Sequence, residues 1–396
     1  MEKSTRIASI DIFRGLTMIL MIWVNDFWTL QDIPKWLKHA SAGEDYLGFS
    51  DLIFPWFLFA VGMSIPFAIE NRLRKDPSYF RLSLHIIVRT IALVVMGLFH
   101  VNMENYNYQE AIMAKPYYVI IVTAAFFLVW NIYPKGNRKR EILYTGLKLL
   151  GIAIMILMIF LYSGKDYDGN LAGFRTYWWG ILGLIGWVYF PAAFLYLIFR
   201  KSMWAHLVLF GLFLALNFIS SSGISYNIFN WQSGDWFPGS GGLQALAFGG
   251  IITTLVMQRL KDHSGRLYIV LMAGGAVLLA SGLLLRDQYM ISKISGTPTW
   301  IMISLSTAIF FFLVIHWIAD LNKRSDWTVL VKTAGAATLT CYLVPYFYYS
   351  LRTLSGIEFP EILTTGWIGL LKSMGYSVLI VAITWGLNRI GIKLKI

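Results

Sequence analysis

The sequence predicts an all-α membrane protein, a polytopic bundle of about 12 transmembrane helices, with 11 as the alternative count. Of its 396 residues, 57% are hydrophobic and only 14% are charged, and the mean hydropathy is +0.61. A soluble domain carries about a quarter charged residues, so this deficit points to a lipid environment. Apolar runs of near-spanning length recur from end to end, and about 20 such residues cross the roughly 30 Å hydrocarbon core.

The spans follow one another with short polar loops between them. No internal repeat or low-complexity stretch interrupts the series, so residues 1–396 are treated as a single integral-membrane domain. The predicted spans are 10–29, 51–69, 84–100, 116–133, 142–162, 177–199, 203–221, 243–258, 267–285, 299–318, 329–350 and 364–387.

The first apolar run is predicted to be a retained helix rather than a cleaved signal peptide. It contains Asp11 and Arg14, continues past Trp23 and lacks a small-residue cleavage site. Cys341 is the single cysteine, so the chain forms no intramolecular disulfide and has no cysteine metal cluster. We expect Cys341 to be a small core residue.

Basic residues are distributed unevenly between the two sets of loops. The loops on the side of the termini hold 20 Lys and Arg residues, and the loops on the other side hold 8. By the positive-inside rule, both termini are cytoplasmic and the loop 30–50 lies outside. The net charge of +12 is explained in this way, without a nucleic-acid partner.

Three polar residues stand where the first two predicted helices meet. Asn25 lies at the outer end of the first helix, His39 lies in the stretch "KWLKHASAGEDYLGFSDLIFPWF" (residues 35–57), and Asp51 opens the second helix. The connection is short, so the three side chains are expected to be neighbours. Histidine suits a general base near neutral pH, and an asparagine amide suits an oxyanion. These residues are the candidate catalytic group.

Other readings of the same stretch stay open. Lys35 and Lys38 favour a neutral imidazole at His39, the form that a base needs. Ser50 or Asp51 is also a plausible helix N-cap. His100, at the outer end of its span, is the rival candidate for the base.

Anionic groups of a ligand are expected at the cytoplasmic side. Asp11 and Arg14 are three residues apart, so they share a helix face and can pair. They either form an interfacial ion pair or receive a phosphorylated ligand. Arg89, inside the third span, either anchors phosphates or extends to the interface.

The stretch 230–242, "NWQSGDWFPGSGG", is rich in glycine and aromatic residues. Trp231, Trp236 and Phe237 either stack on a sugar or form part of an interfacial aromatic belt. The chain has no Walker, GxGxxG, HExxH or GxSxG motif, so neither nucleotide hydrolysis nor metal chemistry is predicted.

The N-terminal region resembles a known family. "RIASIDIFRGLTMILMIWVND", "KHAS" and "SDLIFPWFLFAVGMSI" are similar to the transmembrane acetyltransferases typified by heparan-α-glucosaminide N-acetyltransferase. The resemblance implies acetyl-CoA as donor and an amino sugar or glycan as acceptor on the far side. It implies that His39 is the active-site histidine and Asn25 the catalytic asparagine. Arg14, Asp11 and Asp51 match motif residues without assigned duties.

The sequence therefore predicts a membrane acyltransferase that contacts acetyl-CoA, a glycan acceptor and lipid. Direct attack by the acceptor is favoured over an acetyl-histidine intermediate. A secondary transporter of a sugar or cell-wall fragment is the alternative, followed by a non-catalytic scaffold and an O-acylating enzyme. The chain acts either alone or as a homodimer. The lack of an organellar N-terminal segment favours a bacterial inner membrane.

Overall fold

The fold is a bundle of α-helices with one short β-hairpin. A computed structural model describes residues 7–134, 136–166, 169–224, 227, 239–324 and 329–396. The predicted all-α fold class is confirmed. The hairpin pairs β1 (Gly164–Lys165) with β2 (Leu171–Ala172) in antiparallel register, Gly164 opposite Ala172.

Thirteen α-helices occur in the described residues. They are α1 (Ala8–Asn25), α2 (Ser50–Lys75), α3 (Tyr79–Glu104), α4 (Lys115–Trp130), α5 (Arg138–Phe160), α6 (Ile181–Phe199), α7 (Met203–Ser221), α8 (Gly242–Arg259), α9 (Ser264–Leu284), α10 (Pro298–His316), α11 (Val329–Ala336), α12 (Thr338–Ser355) and α13 (Gly366–Arg389).

Each of the twelve predicted segments is helical. Within the described ranges, nine helices are long and apolar enough to cross a membrane, counting α10 together with its extension to Leu321. Helices α4, α8, α11 and α12 fall outside that set by length or composition. The number of crossings therefore stays a prediction.

The segment predicted as one span at 329–350 is two helices. Helix α11 ends at Ala336 and α12 begins at Thr338, with Ala337 outside the helical region between them (φ −131°, ψ 43°). Just before this break, the Gly335 carbonyl accepts a hydrogen bond from Arg14 Nε at 2.6 Å. A side chain more than 300 positions away thus binds a backbone carbonyl beside the break. No pattern in the neighbouring sequence predicts that contact.

Helix α2 lies in the core and packs along α8. Glycines let the two backbones touch: a Cβ at Gly62 would lie 1.9 Å from the Ala247 carbonyl oxygen, and one at Gly250 would lie 2.1 Å from that of Phe59. Small residues permit such close packing of helices in membranes. The contact fixes the position of the beginning of α2, where the candidate site lies.

A buried ion pair joins the end of α1 to α13. Asp26, only 2% exposed, accepts hydrogen bonds from Tyr349 Oη at 2.6 Å and from Lys372 Nζ at 3.2 Å. Removing one partner of such a pair leaves an uncompensated buried charge, at a cost of about 3–5 kcal/mol. This network holds three helices together beside the candidate site.

We therefore expect Lys372→Met to lower the midpoint of thermal unfolding by about 5 °C or more. Thermal unfolding of the detergent-purified protein measures the change, and Lys332→Met, at an exposed lysine of α11, is the control. The double variant with Asp26→Asn should recover part of the loss. Equal shifts for Lys372→Met and Lys332→Met would contradict the interpretation.

Candidate active site

The candidate site lies where α1 ends and α2 begins. This end of the bundle is called here the His39 end. The connection turns back on itself, with the Phe49 N–H donating to the Trp36 carbonyl at 2.7 Å. Gly48 packs against the backbone at Lys38, where a Cβ would lie 1.7 Å from the carbonyl oxygen. Any side chain at position 48 would push the segment at Gly48 away from the segment at Lys38, so glycine is required here.

The Asp51 carboxylate organises this connection. It is 1% exposed; its Oδ2 accepts from the N–H groups of Ala40 at 3.0 Å and Gly48 at 3.1 Å, and its Oδ1 lies 2.7 Å from His39 Nδ1. The predicted neighbourhood of His39 and Asp51 is thus present. Asp51 links its helix to the loop that carries His39.

The N-cap interpretation of Ser50 and Asp51 was wrong. Helix α2 has Phe49 at its N-cap position and no side-chain cap. Ser50 Oγ instead donates to the Leu37 carbonyl at 2.6 Å. Both polar side chains bind the preceding loop, because the loop folds over the beginning of α2 and offers its own backbone groups.

The cation beside His39 is Lys293, from the loop between α9 and α10. Its Nζ lies 3.2 Å from His39 Nδ1 and 4.0 Å from Asp51 Oδ1. Burial lowers the pKa of Lys293 from its ordinary 10.5, although the nearby Asp51 charge opposes this. Lys35, one of the two lysines predicted to favour the neutral imidazole, instead pairs with Glu44 and lies over the Tyr46 ring. The side chain of Lys38 is exposed and forms no hydrogen bond with the His39 ring among the described residues.

The contacts of His39 favour one tautomer. A carboxylate oxygen accepts and an ammonium donates, so Nδ1 cannot satisfy both neighbours at once. The 2.7 Å contact with Asp51 is the shorter, which favours a proton on Nδ1 and charge pairing between Lys293 and Asp51. Nε2 then carries the lone pair that a general base needs. No hydrogen bond to Nε2 comes from the described part of the chain.

His39 and Asn25 line the same cavity, which has a volume of about 510 Å³ and is called here the His39 cavity. The His39 side chain is 44% exposed, and Asn25 is exposed at the end of α1. Other lining residues come from α2, from α6 and the segment before it, and from α8 and α10, including Phe54, Trp178, Trp187, Gln244 and Trp300. The cavity is therefore lined mainly by aliphatic and aromatic side chains, with amides, an imidazole and an ammonium at its surface.

The predicted phosphate-binding residues lie elsewhere. Arg14 donates to Asp11 Oδ1 at 3.0 Å, which confirms the predicted pair. Along α1, Arg14 lies about 17 Å and Asp11 about 21 Å from Asn25. Arg89 lies 4.6 Å from the Tyr189 ring centre, and its buried Nε has no hydrogen-bond partner among the described residues. These three residues do not line the His39 cavity.

The rival base His100 is also separate from that cavity. It is 3% exposed and stacks on Tyr346 with ring centres 4.3 Å apart. Neither ring nitrogen has a hydrogen-bond partner in the described part of the chain. His39 is the histidine that combines a carboxylate partner with access to a cavity.

Comparison with known proteins bears on these residues. A family model described as "Domain of unknown function (DUF5009)" matches residues 6–248, more than half of the chain. The chain belongs to this family. The matched range includes Asn25, His39 and Asp51, so the candidate catalytic group lies within the DUF5009 region.

The resemblance found in the sequence is also confirmed. The DUF5009 protein is 38% identical over 105 residues to heparan-alpha-glucosaminide N-acetyltransferase of Homo sapiens, over 26% of this chain and 14% of that protein. It is 33% identical over 109 residues to the Mus musculus protein of the same name, over 26% of this chain and 15% of that protein. The match thus spans about a seventh of the length of these relatives.

Several site residues of the DUF5009 protein were not found from the sequence. Lys293 was counted only among the basic residues of the outer loops, and Gln244 lies just after the glycine-rich stretch 230–242. Gln244 Nε2 donates to the Trp187 carbonyl at 3.4 Å. The three aromatic residues predicted to stack on a sugar, Trp231, Trp236 and Phe237, lie outside the described residues.

A second contact holds the Lys293 loop against the His39 loop. The Asp45 carboxylate accepts from the Ile291 N–H at 2.7 Å and from Arg286 Nε at 2.8 Å. The Ile291 hydrogen bond, with Arg286, lowers the pKa of Asp45 below its ordinary 3.8. The ionised form therefore stabilises the fold above pH 3.8, and this contribution is lost as the pH falls through the folded-state pKa.

We expect Asp45→Asn to lower the midpoint of thermal unfolding at pH 7 by about 2 °C. The difference between wild type and variant should shrink as the pH falls below about 3.8. Thermal unfolding in detergent between pH 3 and pH 7 measures both effects. A difference that grows toward acid would contradict the assignment of the stabilising form to the carboxylate.

Proposed function

We propose that this DUF5009 protein is a membrane acetyltransferase that moves an acetyl group from acetyl-CoA to an amino sugar or glycan, with His39 as general base. The observation that carries the proposal is the Asp51–His39 pair at the surface of a cavity that Asn25 also lines. The names of the human and mouse relatives support the acetyl group and the glucosaminide acceptor.

The chemistry requires proton transfer and oxyanion stabilisation. The acceptor amine attacks the thioester carbonyl, and His39 Nε2 takes the proton that the amine releases. Asn25 donates an amide hydrogen to the oxygen that becomes negative. The tetrahedral intermediate collapses to the amide and the CoA thiolate, which regains a proton from the imidazolium.

Asp51 and the loop geometry prepare His39 for this role. The carboxylate accepts the Nδ1 proton, orients the ring and stabilises the imidazolium after it forms. Lys293 balances the charge of the buried carboxylate before the proton arrives. Direct attack needs only this base and proximity, so we favour it over an acetyl-histidine intermediate.

The donor is proposed to come from the opposite end of the bundle. That end holds Arg14 and Asp11, with Arg89 farther along α3, and the basic loops counted in the sequence. We propose that it is cytoplasmic, with both termini, in a bacterial inner membrane. The acetyl group then reaches an acceptor on the other side at the His39 end, while CoA stays in the cytoplasm.

Turnover by the purified protein tests the proposal. Detergent-purified wild type receives acetyl-CoA labelled in the acetyl group together with glucosamine. We expect equal amounts of free CoA thiol and labelled N-acetylglucosamine, with thiol release dependent on the acceptor. Absence of both turnover and thermal stabilisation by CoA, with glucosamine and with chitosan oligosaccharides as acceptors, would overturn the acetyltransferase proposal.

A further inference from the structure

A second cavity lies next to the His39 cavity. It has a volume of about 310 Å³, at the lower end of the range of about 300–1,000 Å³ for small-molecule sites. Its wall contains Glu104, Trp28 and the tyrosines 342, 346, 349 and 376, and it is called here the Glu104 cavity. Met21, Asn25 and Ile181 line both cavities. Asn25 therefore stands at the boundary between them.

The two cavities differ in the ionisable groups that line them. His39 and Lys293 are the ionisable residues among those lining the His39 cavity, and no acid in the described chain lines it. In the Glu104 cavity the one carboxylate is that of Glu104, and no described Lys, Arg or His lines it. The Lys293 charge beside the first cavity is paired with Asp51, whereas the carboxylate of the second cavity favours a cation.

Of the two carboxylates near this cavity, Asp26 and Glu104, Glu104 is the one available to a ligand. The neighbouring Asp26 is bound by Lys372 and Tyr349. Glu104 has no hydrogen bond and no ion pair within 4.0 Å among the described residues, and Lys115 is the cation that acts on it from farther away. Glu104 is exposed at the end of α3. A carboxylate among aromatic rings binds an ammonium group through a charge-assisted hydrogen bond.

The aromatic wall is held in place before any ligand arrives. Tyr349 is bound to Asp26, and its ring centre lies 5.3 Å from that of Trp28 and 5.5 Å from that of Tyr376. Trp28 is 73% exposed, so its ring is available at the surface. Rigid aromatic faces suit the apolar faces of a sugar ring, and the phenol hydroxyls suit its hydroxyl groups.

We propose that the Glu104 cavity is the acceptor site and binds a hydroxylated primary amine, an amino sugar, with its ammonium group at Glu104. The assignment of the ligand as acceptor rests on the proposed acetyltransferase function, whereas the binding site itself does not. The ammonium gives one proton to the Glu104 carboxylate, and the free amine meets the acyl donor at Asn25, the residue that both cavities share. The attacking amine gives its second proton to His39.

Binding of glucosamine without any donor tests the inference. Titration of nanodisc-embedded protein, followed by calorimetry, compares wild type, Glu104→Gln and Glu361→Gln, a control at an exposed acid of a loop. We expect Glu104→Gln to raise the Kd of glucosamine about tenfold or more. The control should change it by less than about twofold. The Kd of the uncharged N-acetylglucosamine should stay within about twofold in all three proteins.

A second variant keeps the inference testable if Glu104→Gln does not fold. Trp28→Ala removes an exposed ring without opening the core. We expect it to raise the Kd of both glucosamine and N-acetylglucosamine about fivefold. A Kd of glucosamine that changes less than about twofold in both Glu104→Gln and Trp28→Ala would overturn the inference.

The test is independent of turnover. If glucosamine binding depends on Glu104 but the protein releases no CoA thiol, the binding site is supported and the acetyltransferase function is rejected. Normal turnover with binding that ignores Glu104 would keep the enzyme and place its acceptor elsewhere, against the inference.

Discussion

His39→Ala is expected to lower acceptor-dependent release of CoA thiol by about 10²–10⁴-fold, the contribution of a positioned general base. Without the imidazole, no group in the described wall of the His39 cavity can take the proton from the attacking amine, since Lys293 is the other ionisable residue there. The measurement is the steady-state kcat with acetyl-CoA and glucosamine. Thermal stabilisation by CoA should be unchanged, because His39 is not expected to hold the nucleotide.

The matched control is His263→Ala, at an exposed histidine that precedes α9. Its kcat should stay within about twofold of wild type. Equal kcat values for His39→Ala and wild type would exclude His39 as the base, whatever the protein's overall activity.

Asp51→Asn is expected to lower kcat by about 10²–10³-fold and to destabilise the fold. The carboxylate accepts three hydrogen bonds, from Ala40, Gly48 and His39, whereas an amide offers one oxygen and an NH₂ group. If the oxygen keeps the two backbone N–H groups, the NH₂ faces His39 Nδ1 and forces the proton onto Nε2. The base then has the wrong tautomer.

The turnover assay and thermal unfolding measure these two effects of Asp51→Asn. Asp287→Asn, at an exposed acid of the Lys293 loop, is the control and should match wild type in both. A variant with normal kcat but a lower unfolding midpoint would reduce Asp51 to a structural role. Normal values of both would contradict the account of the site.

The sequence was sufficient to predict the helical segments and the central pair of the site. Apolar runs mark the helices. His39 precedes Asp51 by only 12 residues, and the loop between them folds back onto the beginning of α2 and brings the two together. The Asp11–Arg14 pair followed from helical spacing alone. Each of these predictions rests on contacts between residues that are close along the chain.

The features that were missed depend on distant residues. Lys293 is 254 positions from His39, and the Arg14 contact beside the break after α11 spans 321 positions. Neither leaves a periodic pattern. The Glu104 cavity is assembled from α1, α3, α6, α12 and α13, so only the packed bundle reveals it. The N-cap interpretation failed for a related reason, since it weighed Ser50 and Asp51 against their own helix alone.

The central claim is that the acetyl group, and not the sugar, crosses the bilayer. Proteoliposomes with glucosamine inside and labelled acetyl-CoA outside test it directly. The one cysteine, Cys341, is buried, so Ser41→Cys and a membrane-impermeant maleimide identify the vesicles whose His39 end faces inward. For these we predict N-acetylglucosamine inside and an equal amount of CoA thiol outside. Product formed only with both substrates in one compartment, or unmodified glucosamine leaving the vesicles without thiol release, would contradict the account.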